Sequence, residues 1–356
     1  MKKGLLILFC AAFFAFCAFF SLGMLIPGAS SAVEGSSGMP ALIGDDGINN
    51  NFGDEFEDWL SKSFAYRSKV VSAFSAIRET VFRTGNDQVT VGRESFLFFN
   101  EGLAGFTGEE AMTDEEIAAC AAALDHMAEY AADHGAKFLF VCAPGKETIY
   151  PEMLPARFRP AAVHDIDRLY AALSDAGVDF IDLRPTLLQA KEDALLYHKR
   201  DSHWNGRGAA AAFGAITDAL ELPRIDFGRF SVHHDFEGDL DRLLYPGEVR
   251  FDDDETQDMS GMFIFTSAYS TPMDMMISTR SEGEGKLLIF RDSFANAMIP
   301  YFSATFAEVK FERANPYRLD LLEGYDASVV IVEITERNLR DLIGADEKIP
   351  ASSQDS

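Results

Sequence analysis

The stretch KLLIFRDSFANAMIPYF, from Lys286 to Phe302, sets the fold of this chain. An apolar strand, Lys286–Phe290, runs directly into a helix that begins at Ser293, and further apolar strands alternate with helices along the chain. This alternation predicts an α/β domain with a mostly parallel sheet and helices on both faces. In such sheets the functional groups lie at the carboxyl ends of the strands, which is where Ser293 stands.

The alternation extends over residues 113–344, which we predict to form one α/β domain. Thr113 opens it with a Thr-Asp-Glu-Glu capping box before a long alanine-rich helix. The predicted strands are Lys137–Cys142, Val178–Ile181, Lys286–Phe290, Glu308–Phe311 and Ala327–Ile334. The alternation of strands and helices is interrupted over 227–284, and we predict this region to be an inserted cap beside the active face. The polar tail, 345–356, is predicted to be disordered.

Residues 52–112 are predicted to lead into this domain. Apolar residues at helical intervals over 52–82 predict an amphipathic helical segment, and QVTVGRESFLFFNEG, residues 88–102, predicts a hairpin. Residues 27–51 are rich in Gly, Ser, Asn and Asp, which is typical of a flexible stalk.

The N-terminus, MKKGLLILFCAAFFAFCAFFSLGMLI, predicts a transmembrane signal-anchor over residues 1–26, because two lysines precede an uncharged apolar run long enough to cross a bilayer. A cleaved secretory signal is the alternative, since Ala29-Ser30-Ser31-Ala32 is a passable cleavage site. Both possibilities place the rest of the chain outside the cytoplasm. Cys120 and Cys142 are predicted to be buried thiols rather than a disulfide.

The charge of the chain limits its partners. A formal net charge of −26 argues against nucleic-acid binding, because a phosphate backbone would be repelled over the whole surface. A polyanionic substrate is disfavoured for the same reason, though less strongly. His233-His234-Asp235 and Asp252–Asp254 lack a full set of metal ligands, so we predict no metal site and no cofactor.

Two segments carry residues suited to nucleophilic catalysis. A serine between a strand and a helix has an exposed hydroxyl near unpaired backbone N–H groups, although Ser293 as a simple helix cap is the alternative. Such a hydroxyl needs a base, and RDSHWN, residues 200–205, offers Asp201 and His203 on the same side of an extended segment. An Asp-His pair in an ordinary surface loop is the alternative there.

These motifs resemble the alginate O-acetyltransferases of the AlgX/AlgJ type and their Gram-positive DHHW relatives, which carry an SGNH-hydrolase-like domain. The resemblance spans most of the chain. It rests on GDEFEDWLSKSFAYRSKV, VGRESFLFF, APGKETIYPEMLP, RDSHWNGRGA, LLIFRDSF and VVIVEITERNL. It implies a three-layer α/β/α domain in which the Asp and His precede the serine. Here the family's frequent Gly-Asp-Ser is Arg291-Asp292-Ser293.

The resemblance implies Ser293 as nucleophile, His203 as general base and acid, and Asp201 as the carboxylate that orients His203. It also implies an acetyl group passed to a polysaccharide acceptor, with a membrane acyltransferase of the MBOAT class as donor. It gives Glu333 and Arg337 a structural ion-pair role. Further residues are candidates for substrate binding. Trp204 could wall the site, shield it from water or stack on a sugar ring, and Arg291 could bind an acyl or sugar oxygen or point to solvent. Lys146 could contact substrate, and Asn296 could donate to an oxyanion. An acetyl-ester hydrolase and a non-catalytic glycan-binding scaffold are the alternative functions.

Overall fold

The computed structural model describes residues 2–23, 39–44, 47–63, 66–347 and 349. The chain divides into two compact units. One comprises residues 1–86 and 241–249, and the other residues 87–240 and 250–356.

The first unit is mainly helical. Its elements are α1 (Lys2–Gly23), β1 (Ile43–Gly44), β2 (Gly47–Ile48), α2 (Phe52–Ser63) and α3 (Arg67–Ile77), which continues as a π-helical turn over Arg78–Phe82. The predicted helical lead-in is present as two helices, α2 and α3. Most of the predicted stalk, including residues 27–38, lies outside the described residues.

Among the described residues, no helix combines the length and the apolar character that a membrane span requires. The signal-anchor over residues 1–26 therefore stays a prediction.

The second unit contains the α/β domain. Its helices are α4 (Asn100–Thr107), α5 (Asp114–Asp133), α6 (Lys146–Ile149), α7 (Asp165–Ala176), α8 (Arg184–Ala190), α9 (Gly206–Ala219), the start of α10 (Asp239–Leu244) and α11 (Ile299–Thr305). Its strands are β3 (Val89–Val91), β4 (Leu97–Phe99), β5 (Lys137–Ala143), β6 (Phe180–Asp182), β7 (Phe230–Phe236), β8 (Asp252–Gln257), β9 (Phe263–Phe265), β10 (Met276–Ser281), β11 (Lys286–Phe290), β12 (Glu308–Glu312) and β13 (Val329–Thr335). The predicted hairpin is present as the antiparallel pair β3 and β4.

The main sheet is mixed. Among the described residues it has seven strands in the order β6-β5-β13-β11-β12-β10-β9. The first five strands in this order, β6, β5, β13, β11 and β12, pair in parallel. Strands β10 and β9 add an antiparallel edge. That edge comes from the region 227–284, so this part of the predicted cap belongs to the main sheet. The alternation signal missed it because a short turn, not a helix, joins β10 to β11.

Apolar side chains cover both faces of the sheet. Along β5, Leu139 and Val141 point into one buried cluster, whereas Phe138 and Phe140 point into the other. Strands that are buried on both faces read as continuous apolar runs, which explains why these segments were visible in the sequence. Helix α5 begins at the predicted capping box on Thr113. The two faces therefore carry helices, and the carboxyl edge of the sheet stays free for polar loops.

The prediction of a disordered tail over 345–356 is wrong for the first residues of that tail. Ala345 is fully buried, Ile349 is 7% exposed, and both pack into one of the two apolar clusters. Asp346 lies 2.8 Å from the Nδ1 of His126. Two apolar residues within a polar tail form no periodic pattern, so the composition of the tail did not reveal that they are buried. Cys120 and Cys142 are buried free thiols, as predicted.

Candidate active site

The turn that carries Ser293 is fixed by carboxylates. Asp292 accepts hydrogen bonds from the backbone N–H of Phe294 at 2.8 Å and from that of Thr335 at 2.8 Å. Its own N–H donates to Oε2 of the buried Glu333 at 3.2 Å. The end of β11 is thus tied to the end of β13. The hydroxyl of Ser293 makes no helix-capping hydrogen bond, which removes the capping alternative.

The loop that carries Asp201 and His203 is held by a buried lysine. Lys146 is 2% exposed, and its Nζ donates to the carbonyls of His198 at 3.1 Å, Lys199 at 3.2 Å and Asp201 at 2.6 Å. Asn205 ends the loop by capping helix α9, since its side chain accepts from Arg207 N and Gly208 N. The loop is therefore clamped at both ends, which limits the movement of His203.

Asp201, His203 and Ser293 form a continuous hydrogen-bonded chain. The Nε2 of His203 lies 2.8 Å from Oγ of Ser293, and its Nδ1 lies 2.7 Å from Oδ1 of Asp201. The same Asp201 oxygen accepts from the backbone N–H of His203 at 2.8 Å. Because one carboxylate oxygen holds both backbone and ring, the imidazole is kept in a single orientation with Nδ1 protonated.

The pKa shifts of His203 and Asp201 suit a general base and its charged partner. Burial lowers the pKa of His203, but the hydrogen bond and charge of Asp201 outweigh it, so the net pKa lies above the ordinary value. Burial acts to raise the pKa of Asp201, yet its hydrogen bonds with His203 and with Asp239 N bring the net pKa well below the usual range. Asp201 therefore stays charged and can compensate an imidazolium.

Sequence reasoning missed two members of the site, Ser202 and Asp239. Asp239 accepts from the N–H of Ser202 at 2.8 Å and from its hydroxyl at 2.6 Å, and its Oδ2 lies 3.6 Å from Nδ1 of His203. Its own N–H donates to Oδ2 of Asp201 at 2.7 Å. No sequence signal identifies Asp239, because it lies far along the chain from His203 in a segment predicted to be a cap.

Asp201, His203 and Asp239 are also near enough to one another for a metal site, with candidate ligand atoms within 4.8 Å. These atoms already hydrogen-bond to one another, to Ser202 and to Ser293. The arrangement is accordingly that of a proton-transfer chain. The acidic run at 252–254 lies on β8, where Asp253 pairs with His234 of β7.

Three of the residues predicted to contact substrate are corrected here, because each side chain is buried and hydrogen-bonds to protein carbonyls. The Nε of Arg291 is the exception among their polar atoms, since it is buried without a partner among the described residues. Lys146 clamps the His203 loop through the three carbonyls it contacts. Trp204 is 2% exposed and donates to the carbonyl of Phe294 at 2.9 Å, so of its predicted roles it walls the site. Arg291 is 2% exposed, and its Nη2 donates to the carbonyl of Pro272 at 2.8 Å.

Asn296 remains a candidate for substrate contact. Its Oδ1 accepts from Nη1 of Arg291 at 2.6 Å, which fixes the amide with its NH₂ group away from the guanidinium. That NH₂ group has the thioether of Met273 as its partner, at 3.2 Å. Sulfur is a weak acceptor, so this donor can turn to a better one at little cost.

Glu333 and Arg337, for which a structural ion-pair role was predicted, make contacts with different groups. Glu333 supports the Ser293 turn through the N–H of Asp292. Arg337 lies over the ring of Phe294, with its guanidinium carbon 5.4 Å from the ring centroid, and it acts to lower the pKa of His203. This guanidinium supplies positive charge close to Phe294 and His203 in an otherwise acidic protein.

Known proteins of one family are similar to this chain. Residues 89–253 match the model of a family described as an SGNH hydrolase-like domain, acetyltransferase AlgX. A protein of Pseudomonas aeruginosa named probable alginate O-acetylase AlgJ is 27% identical over 240 residues, a match that covers 65% of this chain. The chain spans 60% of that relative's length.

Solved structures share the fold. A DHHW family protein from Eubacterium siraeum gives a TM-score of 0.57 at 14% identity, covering 76% of this chain and 100% of that chain. The O-acetyltransferase domain of Pseudomonas putida AlgJ gives a TM-score of 0.50 at 22% identity, covering 71% of this chain and 92% of that chain. These findings confirm the resemblance to AlgX/AlgJ-type proteins and the SGNH-like α/β fold with a mixed sheet.

Proposed function

We propose that this protein is a membrane-anchored, extracytoplasmic O-acetyltransferase that acts on a cell-surface or secreted polysaccharide. The observation that carries the proposal is the hydrogen-bonded chain from Asp201 through His203 to Ser293. The AlgX-type match over 89–253 and the name of the AlgJ relative support acetyl as the transferred group and a polysaccharide as the acceptor.

The first step acetylates Ser293. Nε2 of His203 takes the proton of the hydroxyl while Oγ attacks the acetyl carbonyl carbon of the donor, and Asp201 compensates the imidazolium that forms. The tetrahedral intermediate collapses when the bond to the donor oxygen breaks, and His203 gives its proton to that oxygen. The product is an acetyl ester on Ser293 and the donor as a free alcohol.

The second step transfers the acetyl group to the sugar. His203, neutral again, takes the proton of a sugar hydroxyl, whose oxygen attacks the carbonyl carbon of the ester on Ser293. The Ser293 oxygen leaves and recovers its proton from His203, so the enzyme returns to its starting state. Asn296 is the side-chain donor we assign to the developing oxyanion, because Arg291 fixes its amide and its NH₂ group has only a weak protein acceptor.

The donor and the anchor are part of the same proposal. The apolar run from Gly4 to Ile26 behind two lysines supports an uncleaved signal-anchor. A multispanning acyltransferase of the MBOAT class would then deliver acetyl groups at the outer face of the membrane. An anchored domain is well placed to receive them.

A scaffold without activity would be favoured if Arg291, which stands where the family often has glycine, disturbed the Ser293 turn. Against this, the Arg291 side chain is buried and hydrogen-bonds to Asn296 and to the carbonyl of Pro272. An acetyl-ester hydrolase would use the same three residues with water as the acceptor.

The proposal is tested first with a chromogenic acetyl ester and the full-length chain in detergent. Ser293→Ala should lower turnover by about 10³-fold or more, because the hydroxyl that attacks the ester is gone. Ser174→Ala, which changes an exposed serine on α7, is the matched control and should keep full turnover. Turnover that survives Ser293→Ala would sink the catalytic role of this serine.

A second experiment separates transfer from hydrolysis. The full-length chain is incubated with the acetyl ester and a neutral oligosaccharide, and the products are weighed by mass spectrometry. An oligosaccharide that gains acetyl groups, dependent on Ser293, supports the transferase. Free acetate with an unchanged oligosaccharide would assign the protein to the hydrolases instead.

A further inference from the structure

Helix α3 and the π-helical turn after it bury their small polar residues and expose their apolar ones. The buried side chains are Ser68, Ser72 and Ser75. The exposed apolar side chains, which we call the α3 apolar face, are Val70 (39% exposed), Phe74 (58%), Ile77 (52%) and Val81 (67%). An apolar stripe in water is the reverse of the usual pattern, and it requires a partner.

The two sets lie on opposite sides of one helix. Val70, Phe74 and Ile77 follow the spacing i, i+4, i+7 along α3, which keeps their side chains on one stripe. Val81 follows about one turn later, in the π-helical turn. The serines have the same spacing but are offset by two positions, or about 200° at 3.6 residues per turn.

The serine side is already occupied within this unit. The hydroxyl of Ser72 accepts from the backbone N–H of Gly247 at 3.0 Å. A Cβ added at Gly247 would lie 2.7 Å from the backbone of Ser68, so the two segments approach too closely for larger side chains. The small residues are therefore needed where they are. The serine side of α3, and not the α3 apolar face, is therefore the side that packs within this unit. No apolar surface of the described residues covers the α3 apolar face.

Charge distinguishes the possible partners of this face. Over residues 67–83 the chain carries four basic residues, Arg67, Lys69, Arg78 and Arg83, and one acidic residue, Glu79, a local net charge of +3 against −26 for the whole chain. The guanidinium of Arg78 lies 5.7 Å from the ring centroid of Phe74, beside the apolar face. Glu79 is turned to the serine side, where its carboxylate accepts from the hydroxyl of Tyr245.

We propose that the α3 apolar face lies on an anionic lipid surface, with its apolar side chains among the upper acyl chains and its cations at the headgroups. An apolar stripe edged by Lys and Arg is the pattern of helices that lie in a membrane interface. Anionic headgroups complement this basic segment, whereas a chain of net charge −26 would otherwise be repelled from them. The inference does not depend on acetyl transfer.

The test places a fluorescent reporter on the face. The full-length chain is mixed with vesicles of phosphatidylcholine and phosphatidylglycerol whose acyl chains are brominated. Phe74→Trp is made in a Trp59→Phe background, which leaves the buried Trp204 as the one other tryptophan of the sequence. The indole at position 74 should lose at least half of its fluorescence, because bromine quenches only within the acyl region. Val163→Trp, at a position 60% exposed in the other unit, is the control and should not be quenched.

Charge and fold are controlled separately. A triple variant that combines Arg67→Gln, Lys69→Gln and Arg78→Gln should reduce the quenching at position 74 at least threefold in the same vesicles. The Phe74→Trp protein without these three changes should show the same reduction in vesicles of pure phosphatidylcholine. Circular dichroism shows whether each variant keeps its helices. No quenching at position 74 in a folded variant overturns the proposal, and so does self-association through this face without quenching, which would assign it to a second copy of the chain. Acetyl-ester turnover plays no part in the readout, so failure here leaves the proposed function standing.

Discussion

His203 governs the pH dependence of the proposed reaction. Burial opposes its protonation, but the hydrogen bond and charge of Asp201 prevail and raise its pKa above the ordinary value. Only neutral His203 can accept the Ser293 proton, so turnover should rise with pH through this raised pKa. Asp201→Asn removes the charge, so the acidic limb of the pH–rate profile should move to lower pH and turnover should fall about 10³- to 10⁴-fold.

The control for this change is Asp133→Asn, at an exposed position at the end of α5. Its pH–rate profile should match that of the parent. An acidic limb that does not move in Asp201→Asn would show that another group titrates there. Turnover close to that of the parent would remove Asp201 from the mechanism.

Lys146 should matter for both stability and activity. Its ammonium group satisfies three carbonyls of the loop that carries His203, and burial lowers its pKa to about 8. Lys146→Met removes this donor from all three carbonyls, and among the described residues only that of Lys199 keeps another, the backbone N–H of Leu97 at 2.8 Å. We therefore expect a loss of about 2–4 kcal/mol in the free energy of unfolding. Urea denaturation measures this loss, and acetyl-ester turnover under native conditions should also fall because the loop loses its clamp.

The matched control is Lys137→Met, which removes an exposed lysine on β5 whose ammonium group donates to the carbonyl of Ala219 at 3.3 Å. It should change the free energy of unfolding by no more than about 0.5 kcal/mol. Equal losses in the two variants would mean that the three carbonyls do not depend on Lys146.

Single residues also show how far sequence reasoning reaches. The Asp201, His203 and Ser293 contacts could be predicted because a nucleophile, a base and an orienting acid are a chemically complete set. Lys146 and Arg291 were assigned to substrate because a charged residue in a loop is usually exposed. Their burial depends on carbonyls supplied by the His203 loop and by residues 272–274, which no local pattern in the sequence connects to them.

At the scale of elements, helix α9 offers two glycines with opposite expected effects. A Cβ added at Gly206 would lie 1.9 Å from the carbonyl oxygen of Glu255, whereas one added at Gly214 meets nothing within 4 Å. Gly206→Ala should therefore cost about 2–4 kcal/mol, because backbone must move where α9 packs against β8. Gly214→Ala should add about 0.5–1 kcal/mol, because alanine is the better helix former.

The pair is compared by urea denaturation of the full-length chain under identical conditions. Turnover of the acetyl ester gives a second readout, since α9 begins directly after the loop that carries His203. Gly206→Ala should lower turnover and Gly214→Ala should leave it unchanged. A stable, fully active Gly206→Ala would show that the contact with Glu255 yields easily.

The elements differ in how well the sequence predicts them. Strand β11 occurs at Lys286–Phe290 as predicted, because a charged residue and a turn bound a fully buried apolar run. Strands β9 and β10 lie in the region 227–284, which was predicted to be an inserted cap. Their edge position leaves them half-exposed, and β10 pairs with β12 rather than with β11, the next strand along the chain. Strand–helix alternation does not encode this pairing.

The whole molecule has a charge that should act on its choice of acceptor. With a net charge of −26, the protein repels any polyanion before the polymer reaches Ser293. Arg337 is a local exception, since its guanidinium lies over the ring of Phe294, the residue after Ser293. Long-range repulsion therefore opposes the approach of an acidic glycan, while a short-range cation is available once it has arrived.

Salt separates these two effects. Raising ionic strength from about 0.05 to about 0.5 M shortens the screening length from more than ~10 Å to a few Å, so repulsion over the whole surface weakens while close contacts persist. For a uronate oligosaccharide as acceptor, kcat/KM should therefore rise by about 2- to 10-fold. A neutral oligosaccharide of the same length should show no such rise. If kcat/KM for the uronate falls with salt instead, the local cation at Arg337 outweighs the overall charge, and an acidic polysaccharide becomes the better candidate for the acceptor.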